Sequence, residues 1–146
     1  MPSFDNPFVM RQIIMDHYEH PRNKRIIDHP LARSIRMDTS GCIDDIEVFL
    51  HVEKDTILDV AYSGVACTIS TASTSIMTEL LVGKTIVEAQ QIIEAYLNMI
   101  YERPYDASLL GEAVVFMYTY KQASRIKCAT LAWTGAEQLL KEKQHG

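Results

Sequence analysis

The sequence predicts an α+β fold in which helices pack on one face of a small antiparallel sheet. Hydrophobic residues alternate with polar residues in two neighbouring runs, at positions 46–52 and 58–62, and helical periodicity precedes and follows these runs. The elements therefore follow one another as a helix, then strands, then helices, an order typical of α+β folds. Because 146 residues is close to the length of one average domain, we expect residues 1–146 to form a single domain.

An amphipathic helix is expected near the N-terminus, where residues recur at the i, i+3, i+4, i+7 spacing. Its inward face is formed by Met10, Ile13, Ile14, His17 and Tyr18. Pro21 ends the helix, because proline lacks the backbone N–H that a helix requires. The charge-rich stretch 21–40 is predicted to be an irregular connector. We interpret His17 as a histidine at the edge of the core and His51 as a solvent-facing strand residue, rather than as metal ligands.

Two strands, joined as an antiparallel hairpin, are predicted to follow the connector. The inward-facing residues of the first strand are Ile46, Val48, Leu50 and Val52. The inward-facing residues of the second strand are Leu58, Val60 and Tyr62. Strict alternation of this kind has the period of a half-buried strand. Lys54 and Asp55 lie between the two runs and are predicted to form the turn.

After Gly64 the hydrophobic period changes from that of a strand to that of a helix. The helix predicted here buries Ile69, Ala72, Ile76, Met77, Leu80 and Leu81. Gly83 is a natural stop for it, since glycine readily adopts the left-handed conformation that ends many helices. Thr85 and Glu88 match a capping box, so a further helix is expected to start there and to end before Pro104.

The C-terminal part of the chain is predicted to be helical. The apolar run 109–120 fits either a helix or a buried strand, and we favour the helix. The last helix is predicted to begin near Ile126, which places Cys128 in its first turn.

Composition excludes several classes of protein. Hydrophobic residues make up 47% of the chain and charged residues 23%, as in ordinary folded proteins. The net charge of −5 argues against a nucleic-acid partner. We expect no membrane partner either, because no apolar run approaches the ~20 residues that span a bilayer, and the N-terminus lacks the pattern of a signal peptide. The expectation is a cytoplasmic protein with reduced thiols.

Three cysteines, an odd number, argue against a disulfide scaffold. Cys42 and Asp44 are two residues apart at the edge of the first strand, so their side chains can point the same way. Cys67 and Cys128 are expected near helix N-termini, which favour thiolate over thiol and hence metal binding. The spacing contains no Cys-x-x-Cys pair, so a site of three cysteines and one aspartate is one hypothesis, and a place for Cys128 in the core is another.

Three segments of the chain carry recognisable motifs. Residues 14–23 contain Asp-His-Tyr followed by Pro-Arg-Asn, residues 62–73 surround Cys67, and residues 125–133 surround Cys128. These segments resemble the N-terminal motif and the segments around the second and third cysteines of the U-type iron–sulfur cluster assembly proteins, the IscU/NifU N-terminal family. The resemblance therefore extends over nearly the whole chain.

Two features favour the SufU-like branch of that family. Lys127 stands where IscU proteins carry a histidine, and the segment 109–120 is additional to them. The stretch around the first cysteine departs from the family's pattern, because Ile43 follows Cys42 where the family has a glycine.

The resemblance implies a metal site of three cysteines and one aspartate, with zinc as the expected metal. Its ligands would be Cys42, Asp44, Cys67 and Cys128. It further implies that Cys42 accepts sulfur as a persulfide from a pyridoxal-phosphate-dependent cysteine desulfurase (SufS-like) and passes it to downstream cluster-assembly proteins. Arg125 matches a family arginine beside the site and is expected to support that step. The chain would be a sulfurtransferase-like accessory protein rather than a stand-alone enzyme.

Two alternatives remain open. In the first, the same four residues form a scaffold that assembles a transient 2Fe–2S cluster or holds iron. The hard oxygen of Asp44 would then weaken the hold on the soft centre and leave the cargo exchangeable. In the second, the protein is a non-catalytic module whose zinc is purely structural.

Overall fold

The computed structural model describes residues 6–39 and 43–145 of the chain. In that part the elements are, in chain order, α1 (Pro7–Glu19), β1 (Ala32–Asp38), β2 (Asp45–Glu53), β3 (Thr56–Val65), α2 (Thr68–Leu81), α3 (Ile86–Ile100), the 3₁₀ turns Ala107–Leu109, Gly111–Phe116 and Thr119–Lys121, and α4 (Ala123–His145). We refer to the three 3₁₀ turns together as the 3₁₀ segment, residues 107–121. The predicted α+β fold is confirmed, and so is the helix at the N-terminus.

The three strands form one antiparallel sheet in the order β1–β2–β3. Lys54 and Asp55 join β2 to β3 with φ angles of 50° and 65°. Two positive φ angles in a two-residue loop are the backbone of a type I′ turn, whose twist matches that of the flanking strands. Alternate residues of β2 are buried against the core, and α2 and α4 pack on the sheet. The predicted hairpin is therefore confirmed.

Strand β1 lies within the stretch 21–40, and the prediction that this stretch is irregular was wrong. Only Ile35 and Met37 of β1 pack against the core, while Arg36 is exposed. Two such positions are too few to reveal a strand, and the strand forms because α4 packs on it. Gly135 of α4 makes this close packing possible, since a Cβ there would lie 2.9 Å from Cγ of Met37.

The two edges of the sheet differ in their hydrogen bonding to the rest of the chain. The backbone N–H of Tyr62 in β3 donates to the carbonyl of Asn23 at 3.0 Å, and Nδ2 of Asn23 donates to Oγ1 of Thr78 at 3.0 Å. Asn23 has a φ of 58°, a left-handed conformation that asparagine tolerates better than most residues. The connector after α1 therefore pairs with the outer edge of β3 at Tyr62. Within the described ranges, β1 pairs with no strand other than β2.

A bulge in β3 changes which of its residues face the core. The pairing passes from His51 with Asp59 directly to Val52 with Ile57, so Leu58 has no partner on β2. As a result Ile57 is fully buried and Leu58 is half exposed. The prediction that Leu58 faces inward was wrong, because an extra residue breaks the alternation at this point.

The helices that follow the sheet match the predicted helices, apart from one segment. Gly83, with a φ of 83°, follows α2. Oγ1 of Thr85 accepts from the backbone N–H of Glu88 at 3.1 Å and the Glu88 carboxylate accepts from the N–H of Thr85 at 2.9 Å, which confirms the capping box of α3. The run 109–120, predicted as a helix, forms 3₁₀ turns instead. Gly111, with a φ of 48°, interrupts it.

The centre of the helical layer contains a buried polar network. Trp133 of α4 stacks on Tyr96 of α3 with ring centroids 3.8 Å apart, and its Nε1 donates to Oγ of Ser73 in α2 at 2.9 Å. Ser73 and the hydroxyl of Tyr96 both donate to the carbonyl of Ala129, each at 2.7 Å. The network thus joins α2, α3 and α4 at the residue that follows Cys128. Of the helices in the described ranges, none is long and apolar enough to cross a bilayer.

Candidate metal centre

Three of the predicted ligands meet at one end of the sheet. Asp44 directly precedes β2, Cys67 is the N-cap of α2, and Cys128 lies in α4. One ligand atom from each of them lies within 4.8 Å of the other two. Asp44 and Cys128 are buried, with 1% and 7% of their surface exposed, and Cys67 is partly buried. The fold therefore brings together side chains that are far apart in the sequence.

The carboxylate of Asp44 is held by Cys67. The backbone N–H of Cys67 donates to Oδ1 at 2.7 Å, and its Sγ lies 3.8 Å from Oδ2. In the part of the chain that the structure describes, no Lys, Arg or His forms an ion pair with Asp44. Burying a carboxylate away from any cation is unfavourable. The environment of Asp44 therefore favours a metal cation between it and the two thiols.

Gly64 allows the end of β3 to pass close to the start of β2, next to Asp44. Its φ is 110°, a conformation that residues with a side chain rarely adopt. A Cβ at this position would overlap the carbonyl oxygen of Asp45. Glycine is therefore required here for the strand contact that places Asp44 beside Cys67.

Burial raises the pKa of the Cys67 thiol, and the Asp44 carboxylate raises it further, while the N–H of Ser70 and the thiol of Cys128 lower it. The Ser70 N–H donates to Sγ of Cys67 at 3.4 Å, as expected at a helix N-terminus. The expectation that this location favours the thiolate was wrong as a net effect, because burial outweighs it. A bound metal cation would reverse the balance, since metals bind the deprotonated sulfur.

Cys128 lies one turn deeper in its helix than the sequence predicted. Helix α4 begins at Ala123 rather than near Ile126, so Cys128 is in the second turn. Because the helix dipole acts mainly within the first turn, it gives no reason for a thiolate at Cys128. The hydrogen bonds to the carbonyl of Ala129 hold this part of α4 against α2 and α3. Cys128 is buried, and its thiol still lies beside Asp44 and Cys67.

Two further predicted site residues stay predictions. Cys42, the predicted first ligand and sulfur acceptor, lies outside the described residues, and its role stays a prediction. Arg125 is exposed in the first turn of α4, three residues before Cys128. Its supporting role also stays a prediction.

The sequence did not indicate a cleft between the end of β1 and α4. The cleft has a volume of about 290 Å³ and is lined by Asp38, Thr39, Lys127, Thr130, Leu131 and Thr134. One of its walls is the end of β1, which was not predicted from the sequence, so the cleft could not be predicted either. Lys127 supplies a cation to this cleft. In the sequence, Lys127 only distinguished one branch of the family.

Ser70 is a second feature that sequence reasoning missed. It is fully buried in the turn that follows Cys67, and its Oγ has no hydrogen-bond partner among the described residues. Buried hydroxyls nearly always have a partner, so this one is available to a group that the protein binds. The Cys-x-x-Ser spacing signals only the contact of the Ser70 backbone N–H with Sγ of Cys67, since an N-cap side chain meets the backbone three residues later.

The donor atoms suit zinc. Zinc binds sulfur at about 2.3 Å and carboxylate oxygen at about 2.1 Å, so a tetrahedral site places the two donors about 3.6 Å apart. Sγ of Cys67 and Oδ2 of Asp44 are separated by 3.8 Å. A 2Fe–2S cluster is normally held by four thiolates. With an aspartate in the set, the same residues would hold such a cluster less firmly.

Comparison with known proteins places these observations in a family. The family model described as "NifU-like N terminal domain" matches residues 9–130. The zinc-dependent sulfurtransferase SufU of Bacillus subtilis is 34% identical over 137 residues, which cover 93% of this chain and 92% of that protein. The iron–sulfur cluster assembly scaffold protein IscU of Streptococcus pyogenes is 32% identical over 130 residues, covering 88% and 80%.

A solved structure agrees with this placement. A protein from Fervidobacterium islandicum, described as a candidate iron–sulfur cluster assembly scaffold of the SUF system, superposes with a TM-score of 0.79 at 29% identity. The superposition covers 88% of this chain and 94% of that one. The similarity therefore extends to the three-dimensional arrangement of most of the chain.

Proposed function

Because the chain belongs to the NifU-like N-terminal domain family, we propose that it acts in iron–sulfur cluster assembly as a zinc-bound sulfur acceptor. A pyridoxal-phosphate-dependent cysteine desulfurase of the SufS type supplies the sulfur in this proposal. The observation that carries it is the buried group of Asp44, Cys67 and Cys128, which Cys42 would complete. The similarity to a relative named as a zinc-dependent sulfurtransferase, over most of both chains, gives further support.

Zinc, when bound, keeps the cysteine sulfurs as thiolates at neutral pH. The oxygen of Asp44 matches such a centre less well than sulfur does, so Asp44 is the ligand that we expect a donor from the partner to displace. Asp44 keeps a hydrogen bond to the backbone N–H of Cys67, which holds the carboxylate in place when it is not a ligand. This arrangement allows the ligand set to change without loss of the local fold.

The sulfur transfer itself is a thiol–disulfide exchange. The thiolate of Cys42 attacks the outer sulfur of the persulfide on the desulfurase. A new S–S bond forms on Cys42 as the old one breaks, and the desulfurase cysteine leaves as a thiolate. One S–S bond replaces another, so no external oxidant or reductant is needed. Downstream cluster-assembly proteins then take the sulfur from Cys42.

Arg125 has a supporting role in this proposal. It is exposed in the first turn of α4, on the same helix as Cys128. A guanidinium forms charge-assisted hydrogen bonds with carboxylates, so Arg125 is suited to contact an acidic surface of the desulfurase. Such a contact would bring the persulfide to the metal centre without involving Arg125 in the transfer itself.

The proposal is tested by incubating the zinc-loaded protein with a SufS-type desulfurase and cysteine and then recording its intact mass. We expect Cys42 to gain one sulfur atom and the desulfurase to form alanine faster. Cys42→Ala should abolish both effects, whereas Ser108→Ala, an exposed site elsewhere, should leave both unchanged. If the rate of alanine formation does not change when the protein is added, the sulfur-acceptor role is wrong.

A cluster scaffold is the second candidate, favoured by the similarity to a relative named as an IscU scaffold protein. Anaerobic incubation with iron and sulfide would then give the visible charge-transfer absorption of a 2Fe–2S cluster. Absence of that absorption would rule out the scaffold role. A purely structural zinc would give neither sulfur on Cys42 nor this absorption.

A further inference from the structure

A buried histidine outside the cysteine site faces two carboxylates. The side chain of His17 in α1 is completely buried. Its Nε2 lies 3.0 Å from Oε1 of Glu112 in the 3₁₀ segment and 3.8 Å from Oε1 of Glu79 in α2. Both carboxylates are about half exposed, at 46% and 48%. The group therefore has one buried nitrogen donor and an open side that solvent and ions can reach.

The other nitrogen of His17 is held in a way that allows metal binding. Nδ1 lies 2.7 Å from Oγ of Ser75, which also accepts a hydrogen bond from the backbone N–H of Arg22 at 2.9 Å. A serine hydroxyl can donate or accept, and it has two acceptor lone pairs. In the metal-free protein Nε2 carries the proton and donates to Glu112, since a carboxylate only accepts, and the Ser75 hydroxyl donates to Nδ1. The Ser75 hydroxyl can reverse its role, so Nδ1 can take the proton and leave the lone pair of Nε2 to a cation that displaces the Nε2 proton. This is the usual arrangement of a metal-binding histidine, whose second nitrogen is fixed by a hydrogen bond.

We propose that His17, Glu79 and Glu112 form a second metal site, which binds a hydrated divalent first-row ion such as Mn²⁺. An octahedral ion with bonds of about 2.1 Å places neighbouring donors about 3.0 Å apart. The distance from Nε2 to Oε1 of Glu112 is 3.0 Å, and the half-exposed side chain of Glu79, at 3.8 Å, has to move closer to the ion. All three ligand atoms lie within 4.8 Å of one another. One imidazole and two carboxylates form a hard donor set, so the ion differs in kind from the one that the cysteine site takes.

The charge of the group also favours a cation. Glu79 and Glu112 carry two negative charges, and the cation nearest to them among the described residues is Arg22. Its Nε lies 3.9 Å from Oε1 of Glu79, while its Nη2 pairs with Asp16 at 2.6 Å. Arg22 therefore neutralises the pair only in part, and a divalent ion would complete the balance.

Another histidine cluster in the described chain is less suited to a metal. His51 stacks on His29 at 3.9 Å and pairs with Glu53 at 2.7 Å. Its side chain is only 12% exposed, so the interpretation of His51 as solvent-facing was wrong. Nδ1 of His29 accepts from the backbone N–H of Leu31, which can only donate. The proton of His29 must then stay on Nε2, and binding a metal would break that hydrogen bond.

The proposed site is separate from the cysteine site and does not depend on the proposed function. Glu79 lies twelve residues beyond Cys67 in α2, about 18 Å along the helix axis. The ion would connect α1, α2 and the 3₁₀ segment, each of which supplies one ligand. It also gives a role to the histidine of the N-terminal motif, which is not part of the cysteine site.

The test uses the full chain, first loaded with one equivalent of zinc and then titrated with Mn²⁺. Electron paramagnetic resonance measures free Mn²⁺, which does not compete with zinc for thiolates. We expect one further equivalent to bind, with broadening of the His17 imidazole signals in NMR spectra. Glu112→Gln should lower the affinity at least tenfold, because it removes a charged ligand but keeps an acceptor for His17. Glu79→Gln should act in the same direction.

Two control variants make the result decisive. Glu94→Gln changes an exposed carboxylate of α3 and should leave Mn²⁺ binding unchanged. His51→Gln removes the other histidine cluster and should also have no effect. The proposal is wrong if no Mn²⁺ binds, if Glu112→Gln binds as tightly as the unchanged protein, or if binding is lost in His51→Gln. Thermal unfolding without Mn²⁺ shows that each variant is folded.

Discussion

The backbone N–H of Cys67 donates a 2.7 Å hydrogen bond to Oδ1 of Asp44, and this bond joins the N-terminus of α2 to the start of β2. One buried carboxylate thus serves both as an acceptor within the fold and as a candidate metal ligand. The two contributions can be separated by substitution. Asparagine retains the acceptor oxygen and loses the charge, whereas alanine loses both.

We expect Asp44→Asn to weaken zinc binding by at least about tenfold while leaving the metal-free protein nearly as stable as before. Asp44→Ala should weaken zinc binding too and also lower the free energy of unfolding by about 1–3 kcal/mol, because the Cys67 N–H loses its acceptor. Competition with a chelator measures the first effect, and urea unfolding of the metal-free protein the second. Equal zinc affinity of Asp44→Asn and the unchanged protein would remove Asp44 from the ligand set.

The strand contact beside the metal centre is tested at Gly64. Gly64→Ala should lower the free energy of unfolding by at least about 2 kcal/mol, because the new Cβ overlaps the Asp45 carbonyl and the φ of 110° is strained. Gly83→Ala is the matched control, since its φ is 83° but no atom lies within 4 Å of the added Cβ. It should cost about 1 kcal/mol. Similar losses in both variants, measured in urea, would mean that the overlap is relieved without cost.

The buried network behind Cys128 is tested at Ser73. Ser73→Ala leaves Nε1 of Trp133 without an acceptor, so we expect a loss of about 1–3 kcal/mol in the free energy of unfolding. Ser108→Ala, which removes an exposed hydroxyl that donates to Asp106, should change it by less than about 0.5 kcal/mol. Denaturant unfolding with Trp133 fluorescence reports both. A Ser73→Ala protein as stable as the control would show that the network contributes nothing net.

Arg125 is tested through the partner. Arg125→Ala should reduce the stimulation of a SufS-type desulfurase at low protein concentration, and high protein concentration should restore it, because a docking contact affects affinity. Zinc content and the thermal midpoint should not change, since the side chain is exposed. Lys141→Ala, an exposed cation farther along α4, is the control. A lower maximal rate at saturation would contradict a role limited to docking.

Periodicity alone predicted the elements with long, regular patterns. The stripes of α2 and α3, the alternation of β2 and the capping box at Thr85 are all local signals, and each was confirmed. Strand β1 was missed because it depends on a packing partner that is distant in the sequence, Gly135 of α4. The 3₁₀ segment was predicted as a helix because its apolar run was read without regard to Gly111, whose φ of 48° interrupts it.

For the candidate metal centre, the sequence predicted the ligands but not their electrostatic environment. Family motifs identified Asp44, Cys67 and Cys128, and the fold brings them together. The electrostatics of the centre did not follow from the sequence, because burial depends on the whole fold. The pKa of Cys67 is raised for that reason, although its place at a helix N-terminus suggested the opposite. The free hydroxyl of Ser70 was hidden for the same reason.

The unequal edges of the sheet have a consequence for self-association. An uncovered edge strand offers a row of unpaired N–H and C=O groups on which another chain can add a strand. The connector after α1 already pairs with β3 at Tyr62, so that edge is interrupted, and the outer edge of β1 is the one that pairs with no other strand in the described ranges. Arg33, Arg36 and Asp38 make β1 short of apolar surface, and charged edge residues oppose strand addition. The charge-rich sequence that concealed β1 from pattern analysis is thus well suited to keeping concentrated protein from forming fibres.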